Sequence, residues 1–139
     1  MQLGEFSTAV RHKLPLKLLV ICNGMLNQIA WEQMMFLGNP EYECDLTDID
    51  FAKVAEAMGI RGFHVDDPAE ASRVAEAALA HPGAALIEAV IDPNEPFLPP
   101  RRMEKYVENL EKALDQGTPG AEEIREAMER EPAHSMLQD

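Results

Sequence analysis

A nearly continuous apolar run, Leu16, Leu18, Leu19, Val20 and Ile21, follows Pro15 and stops at Asn23-Gly24. Such a run predicts a strand covered on both faces. From residue 26 to residue 37 the apolar positions shift to helical spacing, and Gly38-Asn39-Pro40 ends that helix. Residues 38–47 are a polar loop, after which Asp48 caps a helix whose apolar face is Phe51, Val54, Ala55 and Met58, stopped by Gly59. Residues 60–65 read as a short strand. Asp67-Pro68-Ala69-Glu70 is a capping box with proline at the first helical position. The helix it opens turns Ala71, Val74, Ala78 and Leu79 inward and ends at Pro82-Gly83, before a second buried strand at residues 84–91. Ahead of all this, Leu3, Phe6, Ala9, Val10 and Leu14 repeat at helical spacing, with no N-cap before them.

The order strand, helix, helix, strand, helix, strand implies right-handed crossovers between parallel strands. The fold class is therefore α/β, a parallel sheet with helices on both faces, over residues 1–92. The prolines of residues 93–100 make an extended connector. Beyond it, residues 101–139 are a helical tail: Met103, Tyr106, Val107, Leu110 and Leu114 mark one amphipathic helix, and a weaker one spans residues 121–130. Residues 131–139 are expected to fray.

Composition narrows the function classes. With 46% apolar and 27% charged residues in 139, the chain has the make-up of one globular domain. No run reaches the ~20 apolar residues of a membrane helix, and residues 1–13 lack the pattern of a signal peptide. A cytoplasmic setting is expected, with Cys22 and Cys44 as free thiols, since they form no metal-ligand spacing. The net charge of −13 argues against nucleic acid and against an anionic membrane surface. The tail carries no basic excess either, so α-helical packing through Tyr106, Val107, Leu110 and Leu114 is expected rather than lipid binding.

Candidate chemistry gathers where the first strand ends. Ligands of open α/β sheets collect at strand carboxyl ends beside a helix N-terminus. Asn23-Gly24 sits there, and reads either as a turn or as a phosphate or metal–phosphate site. Ile29 and Glu32 lie one helical turn apart on one face. Trp31 and Met34-Met35 read as packing, and His12, His64, His81 and His134 show no ligand spacing.

GEFSTAVRHKLPLKLLVICNGMLNQIAWEQ, then DIDFAKVAEAMGIRGFHVDDPAE and PGAALIEAVIDPNEPFLPP, resemble the C-terminal thiamine-diphosphate-binding domain of the pyruvate oxidase and acetolactate synthase family. The tail after Leu98-Pro99-Pro100 is most similar to quinone-reducing pyruvate oxidases. The resemblance implies that Asn23 and the carbonyl of Met25 ligate Mg2+, with Gly24 and Leu26 completing the thiamine diphosphate contact. Magnesium takes an octahedron of oxygens and bridges diphosphates to protein. Cys22 departs from the family's Asn-Asn pair. The Gly-Asp-Gly that carries the carboxylate ligand is expected just upstream of Met1, so the chain is expected to be a fragment, or a gene model begun at an internal methionine.

The same resemblance places Ile29 and Glu32 beside the thiazolium and a 2-keto acid, with pyruvate the expected substrate. Acetolactate synthases usually carry Trp at the Glu32 position, which favours a pyruvate oxidase-like enzyme; Glu32 as an ordinary solvated residue is the alternative. The resemblance further implies that the glutamate activating the cofactor belongs to a partner subunit's N-terminal domain. FAD, where used, sits on a middle domain, so neither is expected in these residues. A homo-oligomer is expected, and this chain alone is expected to be inactive. A non-catalytic α/β interaction or regulatory module is the other class of reading.

Overall fold

The computed structural model describes residues 3–96 and 104–130. Its apolar runs become three parallel strands, β1 (Lys17–Cys22), β2 (Arg61–Val65) and β3 (Ala85–Val90), in the spatial order β1-β3-β2. The helices are α1 (Glu5–Arg11), α2 (Asn27–Glu32), α3 (Phe51–Ala57), α4 (Ala71–Ala80), α5 (Glu104–Asp115) and α6 (Ala121–Arg130). The chain divides into two compact units. One joins the residues up to Asn23 with Asp48–Ile91; the other joins Gly24–Thr47 with the residues from Asp92 onward.

The first unit is the α/β sheet. Successive strand residues point to opposite faces, and Ala85 and Leu86 are 1% and 0% exposed, so β3 is covered on both. Leu86 packs with Ala55 and Ile60, and Phe6, Leu18, Val20 and Phe51 close the cluster, which puts α1 and α3 on that face. Helix α4 lies against β2 and β3 and buries Val74 and Ala78. This is the expected parallel sheet with helices on both faces.

Several details differ from the sequence reading. Strand β1 is an edge strand, and Leu19 and Ile21 are 61% and 54% exposed, so it is not covered on both faces. Helix α3 is capped by Asp50, which accepts the Lys53 N–H at 2.7 Å, and not by Asp48. Its buried positions are Ala52 and Ala55, while Phe51, Val54 and Met58 are half-buried. Asp67 accepts from Ala69 N–H at 2.9 Å, whereas the Glu70 carboxylate takes the Arg73 Nε at 2.6 Å instead of closing a capping box. Ala71 and Leu79 face outward, because only the Val74 and Ala78 stripe of this short helix meets the sheet.

The second unit is helical. Trp31, Met34 and Met35 share a core with Leu110, Ala113, Leu114 and Ile124. The tail thus packs through Leu110 and Leu114 as expected, with Tyr106 at the margin, but Val107 is exposed. Helix α2 widens into a π-helical turn at Gln33–Leu37 before Gly38, whose φ of 66° ends it. The expectations for Met103, for the connector at residues 97–100 and for fraying at 131–139 fall outside the described residues.

Candidate functional site

Asn23 stands immediately beyond Cys22, the last residue of β1, and closes the first segment of the sheet unit. Gly24 follows at φ +70°, and a Cβ added there would meet nothing within 4 Å. The turn is therefore left-handed where glycine is favoured, with open space above it.

In the helical unit, the loop after α2 returns to hold residues 24–26. Leu26 N–H donates to the Cys44 carbonyl and Leu46 N–H to the Gly24 carbonyl, both at 2.8 Å. Those two bonds form the antiparallel bridge of Met25 with Asp45. Ile29 and Glu32 both lie on the exposed side of α2, opposite buried Ala30 and Trp31. Gln28 Nε2 donates to Glu32 Oε1 at 3.0 Å, which fixes that carboxylate along the helix.

Glu88, which no sequence motif singles out, is the buried charge of the sheet. This strand residue is 3% exposed, and its carboxylate meets three polar groups of the sheet unit. Oε2 accepts the Ala52 N–H at 3.0 Å and faces His64 Nδ1 at 3.4 Å, while Oε1 lies 3.8 Å from the Cys22 thiol. A single carboxylate thus links β1, β2 and the first turn of α3, where the helix dipole favours negative charge. Its signal in the sequence was a lone charge inside the apolar run Ala85-Leu86-Ile87-Glu88-Ala89-Val90. Among the described residues no group of three or more His, Cys, Asp or Glu is arranged to hold a metal ion.

Burial, with the Glu88 charge second, pushes the Cys22 thiol above its ordinary pKa; burial, with Glu41 second, does the same for Cys44. Both thiols are consequently less ionised than a free cysteine at any pH below that range. Iodoacetamide labelling of the folded chain at pH 8 should run well below the rate of the urea-unfolded chain and keep rising through pH 9. Folded-state rates equal to the unfolded ones would contradict this.

Comparison with known proteins adds family evidence. The model described as thiamine pyrophosphate enzyme, C-terminal TPP binding domain, matches residues 1–89. The Bacillus subtilis protein YdaP, described as thiamine pyrophosphate-containing, is 33% identical over 99 residues, which are 71% of this chain and 17% of that protein. The mitochondrial acetolactate synthase catalytic subunit of Aspergillus candidus is 31% identical over 99 residues, 71% of this chain and 14% of its own. The Escherichia coli acetolactate synthase isozyme 2 large subunit is 32% identical over 104 residues, 72% and 19% of the two chains. The chain thus spans less than a fifth of each of these relatives. Among the described residues no helix is long and apolar enough to cross a membrane.

Proposed function

Because the chain belongs to the family of C-terminal thiamine pyrophosphate-binding domains of thiamine pyrophosphate enzymes, we propose that residues 23–26 bind the diphosphate end of thiamine diphosphate through Mg2+. The observation that carries this reading is Asn23 directly beyond the carboxyl end of a parallel strand, followed by an open left-handed turn at Gly24. The donor set fits the ion. The Asn23 amide oxygen and the Met25 carbonyl are neutral oxygens, suited to a magnesium whose diphosphate already brings negative charge. Gly24 and Leu26 lend backbone to the same turn.

Bound thiamine diphosphate supplies the carbon nucleophile and the electron sink for decarboxylating a 2-keto acid. In this reading Ile29 gives the reacting region an apolar wall and Glu32, oriented by Gln28, presents a carboxylate to it. Two enzyme classes follow. Glu32 favours a pyruvate oxidase-like enzyme, with FAD on another domain where it is used. The acetolactate synthases among the relatives favour the second class equally. Steady-state assay of the whole enzyme with pyruvate, following either acetolactate or reduction of a quinone, separates them.

Cofactor titration followed by amide NMR tests the binding proposal. Affinity is expected to be weak, roughly millimolar or about −4 kcal/mol, since no carboxylate ligand lies within residues 23–26. Shifts should be Mg2+-dependent, confined to residues 23–32, and reduced severalfold in affinity by Asn23→Ala. Shifts that ignore Mg2+, or that survive Asn23→Ala unchanged, would leave Asn23 as a turn residue only.

A further inference from the structure

The end of α2 is held by a side chain from far along the chain. A helix leaves its last carbonyls without intrahelical partners. Here Asn109, on α5, donates both amide hydrogens of Nδ2 to them: to the Met35 carbonyl at 3.0 Å and the Phe36 carbonyl at 3.1 Å. Tyr106, one turn earlier on α5, meets Phe36 in a tilted ring pair, 4.9 Å between centroids and 49° between planes. Gly38 lies against the same side chain: an added Cβ would stand 3.1 Å from Asn109 Oδ1, a tight contact that Asn109 would have to shift to relieve.

This capped end also directs the loop that follows. Gly38 N–H bonds to the Met34 carbonyl and Asn39 N–H to that of Gln33, at 3.0 and 3.2 Å. The Gln33 side chain then grips Tyr42, accepting its N–H at 2.7 Å and donating to its carbonyl at 3.3 Å. Cys44, two residues on, accepts Leu26 N–H at its carbonyl. Hydrogen bonds joined by short stretches of chain thus connect α5, through the π-helical turn and the loop, to residues 24–26.

We propose that Asn109 is a positioning residue: it latches the loop at residues 38–47 and so fixes the turn at residues 24–26. A latch of this kind makes docking of α5 and ordering of the turn mutually dependent, because coupling free energies are reciprocal. Its meaning for cofactor binding rests on the function proposed above, but its structural content does not.

The two thiols provide the test. Cys44 is 1% exposed within the latched loop, whereas Cys22 belongs to β1 in the sheet unit. Maleimide labelling of each, resolved by mass spectrometry, is compared for wild type, Asn109→Ala and Asn109→Asp. Aspartate keeps the size but cannot donate. Loss of two neutral hydrogen bonds should speed Cys44 labelling on the order of tenfold in both variants, with Cys22 unchanged. Amide exchange at Leu26 and Leu46 should rise with it. An equal rise at both thiols would mean ordinary destabilisation, and unchanged Cys44 labelling would mean no latch; either overturns the proposal. So would faster Cys44 labelling with unaltered Leu26 and Leu46 exchange, or an aspartate variant that behaves as wild type. None of these readouts needs cofactor, so a failed cofactor titration leaves the latch standing and a failed latch leaves the titration interpretable.

Discussion

Glu88→Ala should lower the unfolding free energy of this chain by roughly 3 kcal/mol, the scale of losing a buried, multiply bonded charged acceptor. The carboxylate is 3% exposed and accepts the Ala52 N–H at 3.0 Å beside His64 at 3.4 Å. Alanine leaves that amide without its acceptor at the start of α3 and opens a cavity among β1, β2 and the helix. Glu88→Gln keeps the volume and one acceptor oxygen, so it should cost less, about 1–2 kcal/mol. Urea denaturation at pH 7 measures both. Two variants within 0.5 kcal/mol of wild type, the scale of ordinary surface changes, would show that the buried carboxylate organises nothing. His64→Ala in the Glu88→Gln background should be less costly than in wild type, because the two side chains share one contact.

Glu88 also illustrates what a sequence yields and what it withholds. The parallel sheet was legible, because Leu16 to Ile21 and the run around Leu86 have strand periodicity and the intervening helices have caps and stops. The candidate turn was legible for the same reason: Asn23-Gly24 falls where a strand must end. Coverage was not. Leu19 and Ile21 look as buried as Leu18 and Val20 in sequence, but whether a helix lies over a strand face is decided by segments far away. Cap choice failed locally, since Asp48 and Asp50 both precede α3 and only the loop geometry selects the second.

The tail shows the same limit from the other side. Its apolar stripe at Tyr106, Leu110 and Leu114 predicts a helix that needs a partner, without naming it. The partner is Trp31 with Met34 and Met35. Those residues sit on the helix that carries Ile29 and Glu32, so the packing residues and the proposed substrate-facing residues are opposite sides of one element. Periodicity separated the buried side from the exposed one. It could not reveal Asn109, a polar residue whose partners are backbone carbonyls more than seventy positions away.

Gly62→Ala is expected to be the most disruptive single methyl in the sheet unit, costing about 3 kcal/mol, the upper range for overpacking. A Cβ on Gly62 would stand 2.4 Å from the Ala52 carbonyl oxygen and 2.9 Å from its carbon. Both are backbone atoms, so no side chain can swing aside. The φ of Gly62 is not positive, so the glycine serves close approach alone and not an unusual backbone conformation. That approach brings α3 onto β2, and it is the same first turn whose Ala52 N–H reaches Glu88. Lifting the helix to admit a methyl must stretch the Glu88 bond as well. The two substitutions should therefore be strongly non-additive: Gly62→Ala with Glu88→Gln should be less destabilising than the sum by about 1 kcal/mol or more. Thermal and urea unfolding of the two single variants and the double variant gives the cycle. Additivity would separate the glycine's role from the carboxylate's, and a Gly62→Ala chain as stable as wild type would mean that α3 has room to move away from β2 at no cost.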